Sequence, residues 1–171
     1  MGIVIVVLRA LHILGGIFWA GGTWMLYGFI VPSVEATRPE SNRFMQHLAG
    51  HSGLPVVSNL AGFASVVAGL ALFGPVSGHF DRDWMRSPHG IVLSIGAAVA
   101  LLAFLESQFV MSPAGRKLGA IGRAIAASGG SATAEQAQQA QALQRKLLGA
   151  GRRGMVLLAI AALLMSIARY V

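Results

Sequence analysis

The chain has no cysteine, which excludes disulfide bonds, thiolate metal ligands and cysteine nucleophiles. Charged residues are also scarce, at 11% of the 171 positions, whereas a soluble domain carries roughly 25%. The sequence shows no serine-nucleophile triad, no phosphate-binding glycine loop and no pair of acidic residues suited to hydrolysis. Water is therefore not expected to be the main solvent of this protein, and the common hydrolase and nucleotide sites are not expected in it.

Acidic residues are the scarcer of the two charge types, with 6 Asp and Glu against 13 Lys and Arg. The resulting net charge of +7 could indicate a nucleic-acid partner. In a membrane protein, however, basic residues serve first as topology signals and as contacts to anionic lipid headgroups. We therefore expect the lipid bilayer, and not nucleic acid, as the partner.

Hydrophobic residues are abundant, at 55% of the chain, and are concentrated in long runs. A helix needs about 20 apolar residues to cross about 30 Å of hydrocarbon. Four stretches are long enough, at approximately 3–31, 54–75, 88–111 and 152–170. The sequence predicts an all-α, polytopic membrane protein, a four-transmembrane-helix bundle forming a single membrane domain over residues 1–171. Because the start, "MGIVIVV", lacks a basic segment, we expect the first helix to be retained.

The basic residues are divided unevenly between the two sides of the predicted bundle. Nine of the 13 lie in the connections after helices 1 and 3, and the other four are Arg9, Arg82, Arg86 and Arg169. Because cytoplasmic loops are enriched in Lys and Arg, both termini are predicted on the non-cytoplasmic side. The protein should be integral to a cell membrane.

The connection after helix 3, at about 113–151, is long but has a helical pattern. Leu118, Ile121 and Ile125 share one helix face, and "SGGS" at 128–131 then breaks the chain. Thr133 and Gln136 have the spacing of a capping box that starts a second helix. The sequence predicts a cytoplasmic helical hairpin, whose second arm continues into helix 4. Ser87, followed by proline, is the expected N-cap of helix 3.

Polar residues in helix 1 follow one stripe of the helix surface. A period of 3.6 residues aligns them, and an ionisable side chain facing lipid is unfavourable by about 2.5–3.5 kcal/mol, so the stripe should face the bundle interior. Its members are Arg9, His12, Gly16, Trp19, Thr23 and Tyr27.

His12 is the residue in this stripe with the most chemistry to offer. Gly16, one turn away, leaves room beside the imidazole either for a flat ligand or for another helix. His12 could thus be a haem or metal ligand, a hydrogen-bonding contact between helices, or a proton-transfer group. Met165 or His89 could supply a second axial ligand, and Arg9 could pair with a porphyrin propionate.

A second group of candidates lies at the opposite end of the bundle. His47 and His51 are spaced i, i+4 and could hold a metal or simply be solvated. Glu106, in an apolar run, must find a partner or take up a proton. Arg43 or Arg152 could neutralise it; otherwise proton handling or substrate contact is the alternative.

The segment "LRALHILGGIFWAGGTWMLYGFIVPSV" at 8–34 resembles the first helix of a superfamily of small four-helix membrane proteins. These include the HemJ-type protoporphyrinogen oxidases, the CopD copper-resistance membrane domain and uncharacterised relatives, which this chain resembles most. The resemblance implies a four-helix fold and an association of His12 with haem or porphyrin. It rests on Leu11, His12, Ile13, Trp19, Gly21 or Gly22, and Pro32.

Three functional hypotheses follow. The first is a membrane protein that binds b-type haem or porphyrin and has a redox role, such as a haem-dependent oxidoreductase. The second is a copper or small-solute transport component that uses His12, Met165 and Glu106, since histidine and methionine are suitable copper ligands. The third is a structural or assembly subunit without a cofactor. A homo-oligomer is compatible with the small-residue spacings Ala64–Ala68 and Gly96–Ala100.

Overall fold

A computed structural model of the chain describes residues 2–38 and 40–171, and its regular elements are all helices. Four of them are long and apolar enough to cross a membrane: Gly2–Ala36, Leu54–Val76, Pro88–Ala127 and Ala134–Tyr170. The prediction of an all-α protein with four spans is confirmed. The chain is a multi-pass membrane protein whose spanning helices contact the lipid bilayer.

The first and third spanning helices are each interrupted by a π-helical turn. The elements are α1 (Gly2–Met25), a π-turn (Leu26–Ile30), α2 (Val31–Ala36), α3 (Asn42–Gly50), α4 (Leu54–Val76), α5 (Arg82–Arg86), α6 (Pro88–Glu106), a second π-turn (Ser107–Met111), α7 (Ser112–Ala127), α8 (Ala134–Ile167) and a 3₁₀ turn (Ala168–Tyr170).

The four spans pack as two helix pairs, α1 with α4 and α6 with α8. Small residues allow the close approach in each pair. A Cβ atom on Gly15 would lie 2.8 Å from the carbonyl oxygen of Ala61, and one on Gly96 would lie 3.2 Å from Leu164. The spacing that includes Gly96 is therefore used for packing inside the bundle.

A small apolar cluster joins the two pairs, formed by the buried residues Trp19, Ala103 and Leu158. The Trp19 ring meets the Phe104 ring edge to face, with centroids 6.0 Å apart. Large apolar side chains on the outside of the bundle, such as Ile17 and Phe18, remain exposed because lipid is their solvent.

The π-turns lie just before the two prolines that follow the apolar runs. The helices α2 and α7 each follow a π-turn directly, and Pro32 and Pro113 are their second residues. A proline inside a helix lacks the N–H donor, and its ring clashes with the carbonyl four residues earlier. The wider π-turn relieves that clash, so both helices continue beyond residues 31 and 111, where the predicted spans end.

The predicted helix starts are confirmed. The Ser87 hydroxyl accepts a hydrogen bond from the Gly90 amide at 3.1 Å. Thr133 and Gln136 form the reciprocal capping box. From there α8 runs without interruption to Ile167, so α7 and α8 form the expected helical hairpin, which extends the third and fourth helices beyond the predicted apolar stretches 88–111 and 152–170. The short helix α5, which the sequence did not predict, is capped by the Asp81 carboxylate.

Candidate functional site

His12 and Ser65 bind each other across the α1–α4 interface. The Nδ1 atom of His12 lies 2.8 Å from the Ser65 carbonyl oxygen, to which it donates a hydrogen bond. The Ser65 hydroxyl in turn donates to the His12 carbonyl oxygen at 2.9 Å. These two hydrogen bonds hold the helices together in a region where water cannot compete for them.

The space around the His12 ring is filled on the α4 side. A Cβ atom on Gly69 would lie 2.9 Å from Nδ1, so this glycine allows the ring to pack against the α4 backbone. Next to Gly16, the Ser65 hydroxyl would lie 3.2 Å from an added Cβ atom. Of the two alternatives for the room beside Gly16, the structure shows another helix, α4, on the side of Ser65, and a bound ligand stays a prediction.

The hydrogen bond to Ser65 also determines the protonation pattern of the imidazole. Because a carbonyl oxygen only accepts hydrogen bonds, Nδ1 must carry the proton, and the neutral ring then has its lone pair on Nε2. Histidines that bind metals commonly have this arrangement, in which one nitrogen donates to a carbonyl and the other is the ligand. His12 is thus half-buried, and its ring is oriented by the hydrogen bond from Nδ1.

His89 has the same arrangement in the second helix pair. Its Nδ1 atom donates to the carbonyl oxygen of Ala168, at the end of α8, over 2.8 Å. The Trp84 ring packs against it edge to face, with centroids 5.5 Å apart. Each helix pair is therefore joined by one histidine that donates a hydrogen bond from Nδ1 to a backbone carbonyl oxygen of the other helix segment.

Arg9 does not face the bundle interior, so this part of the predicted stripe is wrong. Its side chain is exposed, whereas Leu8 and His12 are half-buried. Successive helical residues are about 100° apart, so the face centred on Leu8 and His12 turns Arg9 to the outside. Arg9 is seven residues from the start of α1, close enough for its long side chain to reach the headgroup region.

Trp19 and Thr23 make contacts inside the bundle, and a role of Trp19 in cofactor binding stays a prediction. Trp19 is buried and lies over Gly62, where an added Cβ atom would be 3.1 Å from the ring. The Thr23 hydroxyl donates to the Trp19 carbonyl oxygen at 2.8 Å, within the same helix. The interior stripe of α1 from His12 to Tyr27 is therefore a helix-packing surface.

Met165 packs inside the α6–α8 pair. Its Cγ atom would lie 3.2 Å from a Cβ atom on Gly96. His12, in contrast, packs against Gly69 in the other pair. The structure thus places these two predicted axial ligands in different helix interfaces.

Glu106 forms an ion pair with Arg153 and not with the predicted Arg43 or Arg152. Its Oε1 atom accepts a hydrogen bond from the Nε atom of Arg153 at 2.9 Å. Arg152 and Arg153 differ by about 100° on α8, and it is the side chain of Arg153 that reaches Glu106 on α6. Of the alternatives for Glu106, the structure shows charge pairing, and its proposed role in proton transfer stays a prediction.

His47 and His51 stack against each other at the end of α3. Their ring planes are 8° from parallel, with centroids 5.6 Å apart, and both side chains are exposed. Within residues 2–38 and 40–171, no group of three or more His, Asp or Glu side chains is placed to hold a metal ion. The two histidines are thus near each other, but the described residues supply no third ligand of these types.

Tyr27 lies on the predicted interior stripe, but the sequence did not identify the helix that it contacts. Its ring lies directly over Gly151 of α8, so closely that an added Cβ atom would overlap it. The run of glycines at Gly149, Gly151 and Gly154, in a helix otherwise rich in Ala and Leu, is the signal that could have revealed this close approach.

Cavities of about 340 Å³ and 210 Å³ lie elsewhere on the molecule. The larger is lined by residues in the first π-turn, in and just after α2, and at the start of α3, including Phe29, Ser33 and Phe44. The smaller is an apolar groove beside Val4 and Val7. Neither His12 nor His89 lines either cavity.

Comparisons with protein-family models, with curated proteins and with solved structures find no match for this chain. The resemblance of residues 8–34 to the HemJ and CopD superfamily therefore stays a prediction. The structure establishes a four-span helical membrane protein. One histidine joins the two helices of each pair, His12 in α1–α4 and His89 in α6–α8.

Proposed function

We propose that this protein binds a b-type haem or a porphyrin in the membrane and has a redox role, with the Nε2 atom of His12 as ligand. The observation that supports this is the hydrogen bond from Nδ1 to the Ser65 carbonyl oxygen. It fixes the ring orientation and uses Nδ1 as the donor, so that Nε2 is the nitrogen for a ligand bond, as in known metal-binding histidines.

Arg9 is a further residue that suits such a group. Arg9 lies three residues before His12, on a neighbouring part of the helix surface, and its exposed guanidinium could pair with a propionate. His89 and Met165, the predicted second ligands, both make their contacts in the α6–α8 pair, whereas His12 contacts α4, so the proposal rests on His12 alone. When bound, haem iron would supply one-electron redox chemistry. The Ser65 carbonyl would orient His12, and the apolar helices would exclude water.

The visible absorption spectrum tests this proposal. We expect the protein, expressed with sufficient haem supply and purified in detergent, to show a Soret band. His12→Ala should lose most of this band, because the ligand is removed. Ser65→Ala is the matched control, since it removes the hydroxyl but keeps the carbonyl that accepts from Nδ1. A colourless wild-type protein, or a His12→Ala variant with an unchanged spectrum, would contradict the proposal.

The second candidate function is that of a structural or assembly subunit without a cofactor. It is favoured by the packing of Ser65 next to Gly16 and by the paired hydrogen bonds between His12 and Ser65. In that case the same preparation stays colourless with haem, and His12→Ala reduces only helix–helix stability. Copper transport has no comparable observation in its favour, and titration of the colourless protein with copper would test it.

We further propose that the α7–α8 hairpin is cytoplasmic and that both termini lie on the other side. The uneven distribution of arginine and lysine supports this orientation. Because the chain has no cysteine, single cysteines are specific reporters. Asp83→Cys should react with a membrane-impermeant maleimide in intact cells, and Ser131→Cys only after permeabilisation. The reverse labelling pattern would overturn the orientation.

A further inference from the structure

The α7–α8 hairpin is strongly basic. Between residues 112 and 153 there is a single acidic residue, Glu135, near the hairpin tip. Among the described residues, the only ion pair that this segment makes is between Arg153 and Glu106. The basic side chains are all exposed, and they are Arg116, Lys117, Arg123, Arg145, Lys146, Arg152 and Arg153.

The antiparallel register of α7 and α8 brings four of these cations to the same level along the helix axes. Three contacts give the register of α6 and α8: His89 with Ala168, Gly96 with Leu164, and Glu106 with Arg153. The residue numbers increase along α6 and decrease along α8, so the two helices are antiparallel. The α7 helix continues α6 and also packs against α8. Continued beyond Glu106, this antiparallel register places the α7 pair, Arg116 and Lys117, level with the α8 pair, Arg145 and Lys146, to within about two residues. The four form a basic belt, defined as Arg116, Lys117, Arg145 and Lys146.

The height of the basic belt matches the lipid headgroups. Phe109, in the second π-turn, is 75% exposed, as expected for a large apolar side chain still in contact with lipid. Arg116 follows Met111, the last apolar residue of the run, by five residues, which is about 8 Å along a helix. The polar layer of a bilayer adds roughly 5–7 Å beyond the hydrocarbon on each side. Long basic side chains from this height reach phosphate groups.

We propose that the basic belt binds the phosphates of anionic phospholipids in the leaflet on the hairpin side. The acidic residue of the hairpin, Glu135, is at the far tip and cannot neutralise the belt. Guanidinium and ammonium groups form strong hydrogen bonds with phosphate oxygens. The height of the belt favours lipid over a soluble acidic partner, which would have access to the whole hairpin.

Thermal unfolding of the full-length protein in neutral detergent, with added phosphatidylglycerol or phosphatidylcholine, tests this proposal. We expect phosphatidylglycerol to raise the melting temperature and phosphatidylcholine to raise it less. The variant Arg116→Gln/Lys117→Gln/Arg145→Gln/Lys146→Gln should need at least about tenfold more phosphatidylglycerol for half the shift, because one cation at an anionic surface contributes about fivefold in binding. Salt should weaken the wild-type effect in the same direction.

The matched control is Arg82→Gln/Arg86→Gln, which removes two exposed cations on the opposite side of the bundle and should keep the full response. If the fourfold variant does not fold, the separate pairs Arg116→Gln/Lys117→Gln and Arg145→Gln/Lys146→Gln replace it. The proposal is overturned by equal responses of belt variants and wild type, or by equal shifts with both lipids. It is also overturned if a heparin fragment stabilises the protein as well as phosphatidylglycerol does, since that would indicate an acidic macromolecule.

Discussion

Replacing Gly90 by alanine is expected to lower the free energy of unfolding by about 3 kcal/mol or more, the range of severe core defects. A Cβ atom at this position would overlap the Trp84 carbonyl oxygen. That oxygen cannot move freely, because it accepts hydrogen bonds from both the amide and the hydroxyl of Ser87. The same Ser87 hydroxyl caps α6 by accepting from the Gly90 amide, so any shift also disturbs the helix start.

Unfolding of the purified protein by increasing SDS, followed by circular dichroism, measures this loss. Gly74→Ala is the matched control, because nothing lies within 4 Å of its added Cβ atom in α4. There we expect little change or a gain of about 0.5 kcal/mol, since alanine favours a helix over glycine. Equal stability of the Gly90→Ala and Gly74→Ala variants would show that the turn before α6 tolerates a side chain.

Gly151→Ala is expected to lower the free energy of unfolding by about 2–4 kcal/mol, because the new methyl group overlaps the Tyr27 ring. The ring cannot stay in place, and its displacement separates α8 from the first π-turn. Gly154→Ala in the same helix is the control, since no atom lies within 4 Å of its added Cβ atom. The same SDS unfolding measurement compares the two variants.

A double-mutant cycle with Tyr27→Ala identifies the source of this loss. Tyr27→Ala removes the ring that Gly151→Ala overlaps, so the double variant should lose clearly less stability than the two single variants together. Residues in direct contact commonly show coupling energies of about 0.5–3 kcal/mol. Strict additivity would mean that alanine at 151 destabilises α8 for a reason other than the Tyr27 contact.

Local signals in the sequence predicted the spans and the helix starts. The apolar runs, the Ser87–Pro88 pair and the Thr133 capping box depend on residues near each other in the chain, and the structure has them as predicted. The π-turns were missed, since a proline after an apolar run predicts a helix end as readily as a π-turn that allows continuation. Sequence periodicity does not distinguish these outcomes.

Contacts between helices were predicted less well, because they depend on how each helix is rotated. An ion pair with Arg43 or Arg152 was one of the alternatives for Glu106, but the rotation of α8 selects Arg153 as its partner. His12 and His89 were identified as candidate ligands from residue type and position. The backbone carbonyls that orient them, at Ser65 and Ala168, have no signal in residue identity, since every residue has a carbonyl.

The second π-turn determines the helical phase of everything that follows it. A π-turn accommodates one more residue than an α-helical turn, and one residue corresponds to a rotation of about 100°. Without it, the apolar side chains Leu118 and Ile121 would rotate away from α8, and polar positions of α7 would take their place. The pairing of the two hairpin arms thus depends on a single additional residue in the turn that directly precedes the first arm.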